Sequence, residues 1–195
     1  MTYQFTVDWF TNNANNFLAV KNILPARKRI LEIGSFEGRS TVWLVKNMLD
    51  EGGTISCIDT WAGGEEHKVL GMNMSIVEAR FDHNIAVLKE EHPNTTVYKI
   101  KGRSANELAN LAEWSKFDLI YVDGGHEARD CLSDAVMAWE LLENGGVMIL
   151  DDYGWQDRPV GPLHPKPAID AFINFYYKER KVLFMNYQVA LQKTV

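Results

Sequence analysis

The chain has 195 residues, 46% of them hydrophobic and 24% charged, with a formal net charge of -6; that suffices for one domain with a sizeable core and is short for two. The negative balance argues against a general phosphate-backbone binder, which needs a basic face, so no nucleic-acid partner is expected. No apolar run approaches the roughly 20 residues of a membrane-spanning helix, and "MTYQFTVDWFTNN" lacks the basic and apolar regions of a signal peptide; a cytoplasmic protein without a membrane partner is expected.

In chain order, residues 1–25 form an N-terminal helical segment: Trp9, Phe10, Phe17, Val20, Ile23 and Leu24 recur near helical spacing until Pro25 ends it. Strand-like and helix-like stretches then alternate. "RILEIG" reads as strand and "RSTVWLVKNML" as helix, then "GTISCID" as strand. Residues 61–80 lengthen the next connection, and Trp61, Gly63, Gly64, Met72 and Met74 there suggest either a mobile flap over a ligand or a plain surface excursion. Helix "NMSIVEARFDHNIAVLKEE", strand "TVYKIKG", helix "SANELANLAEW" and strand "FDLIYVD" follow. Helix "ARDCLSDAVMAWELL" stops at Glu143-Asn144-Gly145-Gly146, and "VMILDD" is the fifth strand. Cys57 and Cys131, both in apolar stretches, read as buried free thiols of a reducing compartment.

Short strands apolar on both faces are buried between helices. Five such units in series predict an α/β fold, a doubly wound sheet with right-handed crossovers. The tail breaks the rhythm: after "PKPAIDAFINFYYKE", "KVLFMN" and "QVALQK" are separated by Tyr187 alone, too short a link for a parallel crossover, so they should pair antiparallel. The aromatic-rich "AFINFYYKE" could cover a second copy as readily as the sheet, so a homo-oligomer stays open.

Ligands of such sheets bind outside the carboxyl ends of the strands. There the sequence delivers "EIGSFEGRS", Asp59, "KGRS", Asp123 and Asp151-Asp152. Gly34 and Gly38 bracket a turn where backbone can approach a ligand closely and helix-start amides favour an anionic group. The spacing is neither the dinucleotide triplet nor a P-loop. Asp59 stands 59 − 34 = 25 residues after Gly34, near the ~20 at which an acid takes ribose hydroxyls. Each feature also has a plain alternative: a turn glycine, a cap, an Asp-Gly turn or a first-turn histidine.

"ILEIGSFEGRS", "CIDTW", "DLIYVDGGHEARDCLSDAVMAWELLENGGVMILDDY" and the tail pattern together resemble the class I S-adenosylmethionine-dependent methyltransferases. The likeness is nearest to metal-dependent small-molecule O-methyltransferases of the catechol and macrolide-sugar types, and runs from about Arg27 to the end. It implies a Rossmann-like, single-domain, seven-stranded sheet with a reversed last strand. It also implies that Glu32, Gly34, Ser35, Phe36, Gly38 and Ser40 surround the methionine part of S-adenosylmethionine, that Asp59 holds the ribose, and that Ser104 sits near the adenine. Asp123, Asp151 and Asp152 fall on the positions that chelate a divalent metal, Mg²⁺ by type, and His126 falls where the sugar-type enzymes place a general base. One departure is Asp152, where the catechol type carries an amide.

The chemistry is coherent without the likeness. Methyl transfer from a sulfonium requires a positioned nucleophile. Clustered carboxylates suit a hard cation acting as Lewis acid and template, and a histidine of reference pKa about 6.5 can take a proton near neutral pH. The expectation is an O-methyltransferase for a small hydroxyl-bearing acceptor. Its rivals are a metal-independent methyltransferase of the same fold, a nicotinamide-dependent oxidoreductase, and a non-catalytic cofactor-binding module. His67, Trp155 and His164 lie where they could reach the acceptor, without an assignable role.

Overall fold

The computed structural model describes residues 1–26, 28–112, 115–156 and 160–195, the side chains of Glu65 and Glu66 excepted. Arg27, where the resemblance begins, and Glu113 and Trp114, at the end of a predicted helix, lie outside the described residues. Strands β1 (Arg29–Ile33), β2 (Thr54–Asp59), β3 (Thr96–Lys101), β4 (Phe117–Val122), β5 (Leu142–Leu150), β6 (Arg180–Met185) and β7 (Val189–Lys193) form one seven-stranded sheet in the order 3-2-1-4-5-7-6. The first five run parallel, and β7 enters antiparallel between β5 and β6. This is the Rossmann-like arrangement with a reversed last strand.

Period-2 alternation sends neighbouring strand residues to opposite faces, each covered by helices. Helices α1 (Asn15–Lys21), α2 (Arg39–Asn47) and α4 (Met74–Glu91) cover one face. There Phe17, Leu44, Phe81 and Leu88 meet Ile30, Ile55, Leu119 and Tyr121. Helices α5 (Ser104–Leu111), α6 (Ala128–Leu141) and α7 (Pro165–Phe175) cover the other. Leu108, Trp139, Ile169 and Phe172 meet Leu31, Ile120 and Met148 there. Both cysteines are buried free thiols. Among the described residues no helix is long and apolar enough to cross a membrane.

Three elements depart from the sequence reading. The N-terminal helix is short: a 3-10 turn at Thr11–Asn13 precedes α1, and Trp9 is 54% exposed while Phe10, Phe17 and Val20 are buried. Residues ahead of it have no helix or strand and are fastened by side chains. The Gln4 amide donates to Asn84 Oδ1 at 2.7 Å, and the Thr6 amide and hydroxyl donate to the buried Glu37 at 2.6 and 2.8 Å. Strand β3 is a sheet edge: Val97 is buried but Tyr98 is exposed, and Lys99 and Lys101 pair with Glu78 of α4. Finally, Leu142 already pairs with Phe117, and the ladder resumes at Val147. Residues 143–146 are therefore an excursion within β5, with Gly145 at φ 83°.

The long connection after β2 begins with an anchor. Trp61 is buried, and its indole N–H donates to the Phe36 carbonyl at 2.8 Å. A short helix α3 (Glu65–Val69) follows, and Asn73 caps α4 by accepting from the Ser75 amide. Phe17 packs edge-on to Tyr121 at 5.0 Å between centroids. Truncating Phe17 to alanine removes a fully buried ring and should cost about 3–5 kcal/mol, read as a lowered denaturation midpoint at unchanged m-value.

Candidate active site

Strands β1, β2, β4 and β5 all end on one edge, and the polar residues beyond them meet there. The turn after β1 sits on β4: a Cβ added to Gly34, at φ 88°, would lie 1.9 Å from the Asp123 carbonyl oxygen. Only glycine permits that approach. Phe36 (φ 48°) and Gly38 (φ 79°) continue the turn in left-handed conformations, which leaves the amides of Ser35 and Phe36 directed at one point. Asp59 fills it: its Oδ2 accepts from both amides at 3.0 and 2.8 Å, and its Oδ1 accepts from Trp61 N at 2.7 Å.

Glu32 lies beneath the turn, with 0% exposure. It accepts hydroxyl hydrogen bonds from Ser35 and Thr41, and burial raises its pKa against those donors and Ser40. Its Oε1 is buried and has no hydrogen-bond partner among the described residues. Ser35 and Ser40 are themselves buried. Glu32, Ser35 and Ser40 thus brace the turn from below, Gly38 is buried against Phe81, and Gly34, Phe36 and Asp59 are the partly exposed residues of its outer side.

The acids divide into two environments. Ligand atoms of Asp123, His126 and Asp152 lie within 4.8 Å of one another, all partly buried, one cation's reach. His126 Nε2 is 3.1 Å from Asp152 Oδ2, and its ring packs edge-on to Trp155 at 5.0 Å. Asp152 owes its aim to a left-handed backbone, φ 59°, and its Oδ1 accepts from Tyr187 OH at 2.9 Å. A small hollow lies here, lined in part by Asp123, His126, Cys131 and Asp152. Asp151 instead turns inward. Its Oδ1 accepts from the Asp152 amide at 2.7 Å, and its Oδ2 from Tyr121 OH and from Gln188 Nε2 at 2.8 Å. The resemblance implies three acids as ligands; Asp123 and Asp152 meet His126, and Asp151, which lines the same hollow, is hydrogen-bonded to Tyr121 and Gln188.

Tyr121 OH also contacts Asp123 Oδ2 at 2.9 Å, so one phenolic proton stands between two carboxylates. Burial, then Asp151 and Asp152, push Asp123 well above the usual carboxylate range. Burial and Asp152 raise Asp151 to about 6. Two other buried acids have basic partners, Asp118 with Arg29 and Glu37 with Arg80, while Glu32 and Asp134 are each held by hydroxyls. Among the described residues no lysine or arginine pairs with Asp123, Asp151 or Asp152. A divalent cation fits this donor set because it supplies the missing positive charge.

Ser104, the first residue of α5, hydrogen-bonds Asp134 of α6. The Asp134 carboxylate underlies the turn after β4, where a Cβ on Gly124 would meet its Oδ2 at 3.1 Å. Asp134 was not anticipated, although an acid amid Cys131, Ala135, Ala138 and Trp139 on the buried face of α6 is a visible signal. Tyr121, Gln188 and Glu37 were missed as well. His164 is a buried cap: its Nδ1 accepts from the Lys166 amide, so Nε2–H donates to the Trp155 carbonyl at 2.8 Å. His67 Nδ1 accepts from the Gly64 amide.

A family model of methyltransferase domains matches residues 31–153, from β1 through the acid pair after β5, and the chain belongs to that family. The comparison with curated proteins finds no match. Solved structures share the fold. The O-methyltransferase TomG from Streptomyces achromogenes, involved in tomaymycin synthesis and bound to S-adenosylmethionine, is 19% identical at a TM-score of 0.67, over 97% of this chain and 82% of its own. A Clostridium thermocellum structure described as a candidate rRNA methylase is 14% identical at 0.66, over 98% and 99%. The MycE methyltransferase of mycinamycin biosynthesis, in complex with Mg and S-adenosylhomocysteine, is 15% identical at 0.58, over 98% and 51%.

Two predictions follow from this geometry. Gly34→Ala should cost at least about 3 kcal/mol, since it combines left-handed strain with a backbone clash, visible as a lower chemical midpoint. Burial raises Asp134 from 3.8 to about 6. The folded state therefore holds a proton that the unfolded state releases, and this group's contribution to stability falls as pH rises from about 4 to 6. Asp134→Asn, which cannot ionise, should flatten that part of the melting-temperature profile; an unchanged slope would refute the assignment.

Proposed function

We propose that the chain is an S-adenosylmethionine-dependent O-methyltransferase for a small hydroxyl-bearing acceptor, using a divalent cation, Mg²⁺ by preference. The observation that carries this reading is the meeting of Asp123, His126 and Asp152 within one cation's reach, beside a glycine turn pressed onto the Asp123 backbone. That turn, with Gly34, Phe36 and Gly38, would face the methionine part of the cofactor. Asp59 would accept the ribose hydroxyls, and Ser104 would lie near the adenine. Bound S-adenosylmethionine would supply an electrophilic sulfonium methyl for the acceptor oxygen. A cation held by Asp123 and Asp152, with Asp151 behind them, would supply Lewis acidity and orientation. His126, held by Asp152 and packed on Trp155, would receive the acceptor's proton.

A second reading, methylation of RNA, is favoured by the Clostridium neighbour. The net charge of -6 speaks against it, because a polyanionic acceptor requires basic contacts.

A methyl-transfer assay across phenols, sugars and a short RNA tests both readings, with and without chelator. The expected result is transfer to a small hydroxyl compound, abolished by EDTA and restored by Mg²⁺. His126→Ala should keep cofactor affinity and lose about 10²–10⁴-fold in turnover, and Asp59→Ala should weaken cofactor binding. Activity indifferent to chelation would remove the cation, and RNA as sole acceptor would overturn the small-molecule reading.

A further inference from the structure

The side chain of Gln188 is completely buried and reaches the acid cluster from the reversed strand. Its partner there settles its orientation. An ionised carboxylate only accepts, so Gln188 must present Nε2 to Asp151 Oδ2, at 2.8 Å. Its Oε1 then faces away and needs a donor, which is Asn16 Nδ2 of α1 at 2.9 Å. Asn16 is oriented in turn by the tight turn between β6 and β7. Its Oδ1 accepts from Asn186 Nδ2 at 3.2 Å, and Asn186 Oδ1 accepts from the Gln188 amide at 2.9 Å. Beyond Asp151, Tyr121 OH joins Asp151 to Asp123.

From this chain of hydrogen bonds we infer that Asn16 and Gln188 are positioning residues for the acid cluster, and that the N-terminal helix is thereby part of the active site. Asn16 holds the Gln188 amide with its donor toward Asp151. If that amide turns over, Gln188 Oε1 opposes Asp151, which then claims the Tyr121 proton alone, and Asp123 loses its donor. Neither residue touches the proposed place of cofactor, cation or acceptor. The role rests on the reading that this cluster holds a cation, but the orientation of Gln188 does not.

The deciding substitution is Asn16→Asp. It keeps the shape and replaces the donor by an acceptor, so the Gln188 amide must turn over to satisfy it. Helix α1 should not suffer, because an acid in the first turn of a helix is favourable. The probe is Mn²⁺, whose binding is followed by its paramagnetic resonance signal and needs no turnover, alongside NMR of the Gln188 side-chain amide. Asn16→Asp should weaken Mn²⁺ binding about tenfold and move the Gln188 NH₂ resonances; Asn16→Ala, which leaves the amide unforced, should weaken it only about threefold. Asn16→Asp and Asn16→Ala binding Mn²⁺ equally well, or Gln188 resonances unchanged in Asn16→Asp, would overturn the inference. Should the wild-type chain bind no Mn²⁺, the cation of the proposed function falls, while the Gln188 resonances still decide whether the relay exists.

Discussion

The contact between Gly34 and the carbonyl of Asp123 joins the two halves of the site. On one side is a turn whose amides converge on Asp59. On the other is the end of β4, which carries the acid cluster. Parallel neighbours β1 and β4 bring the two backbones together, and the absent side chain lets them touch. A methyl donor lying on the turn and an acceptor held by the acids would then be adjacent without any induced movement. Preorganisation of this kind is where much of the advantage of a positioned displacement originates.

Burial of charge is handled differently at the two ends of the sheet. At the amino edge Asp118 accepts from the Arg29 amide and faces its guanidinium, an arrangement complete in itself. At the carboxyl edge three acids share Tyr121, Tyr187, Gln188 and His126, all neutral or conditionally charged partners. Their burial raises Asp123 and Asp151 instead of ionising them comfortably. The proposed cation would offset this cost by bringing positive charge to the edge.

Sequence pattern reached far here because the fold is written in short-range rules. Buried parallel strands must be apolar on both faces, so β1, β2, β4 and β5 are visible as runs, and the short link between β6 and β7, residues 186–188 in the structure, permits only a hairpin. The same rules fail at the margins. Edge strand β3 resembles a central strand in composition until Lys99 and Lys101 are seen to pair across to α4. The segment before α1 has helical spacing but forms no helix up to residue 10, where Gln4 and Thr6 are tied instead to Asn84 and Glu37, far along the chain.

For the site, the sequence by itself determined which residues stand at the strand ends, since strand length and turn chemistry place Gly34, Asp59, Asp123, His126, Asp151 and Asp152 there. Only the tertiary structure decided which way each one faces. Asp151 and Asp152 are neighbours in the chain, yet one is drawn inward by Tyr121 and Gln188 while a left-handed backbone aims the other at His126. Asp134, Asn16 and Gln188 acquired their roles in the same way. Side-chain direction depends on hydrogen-bond partners distant in the chain, and local spacing does not contain them.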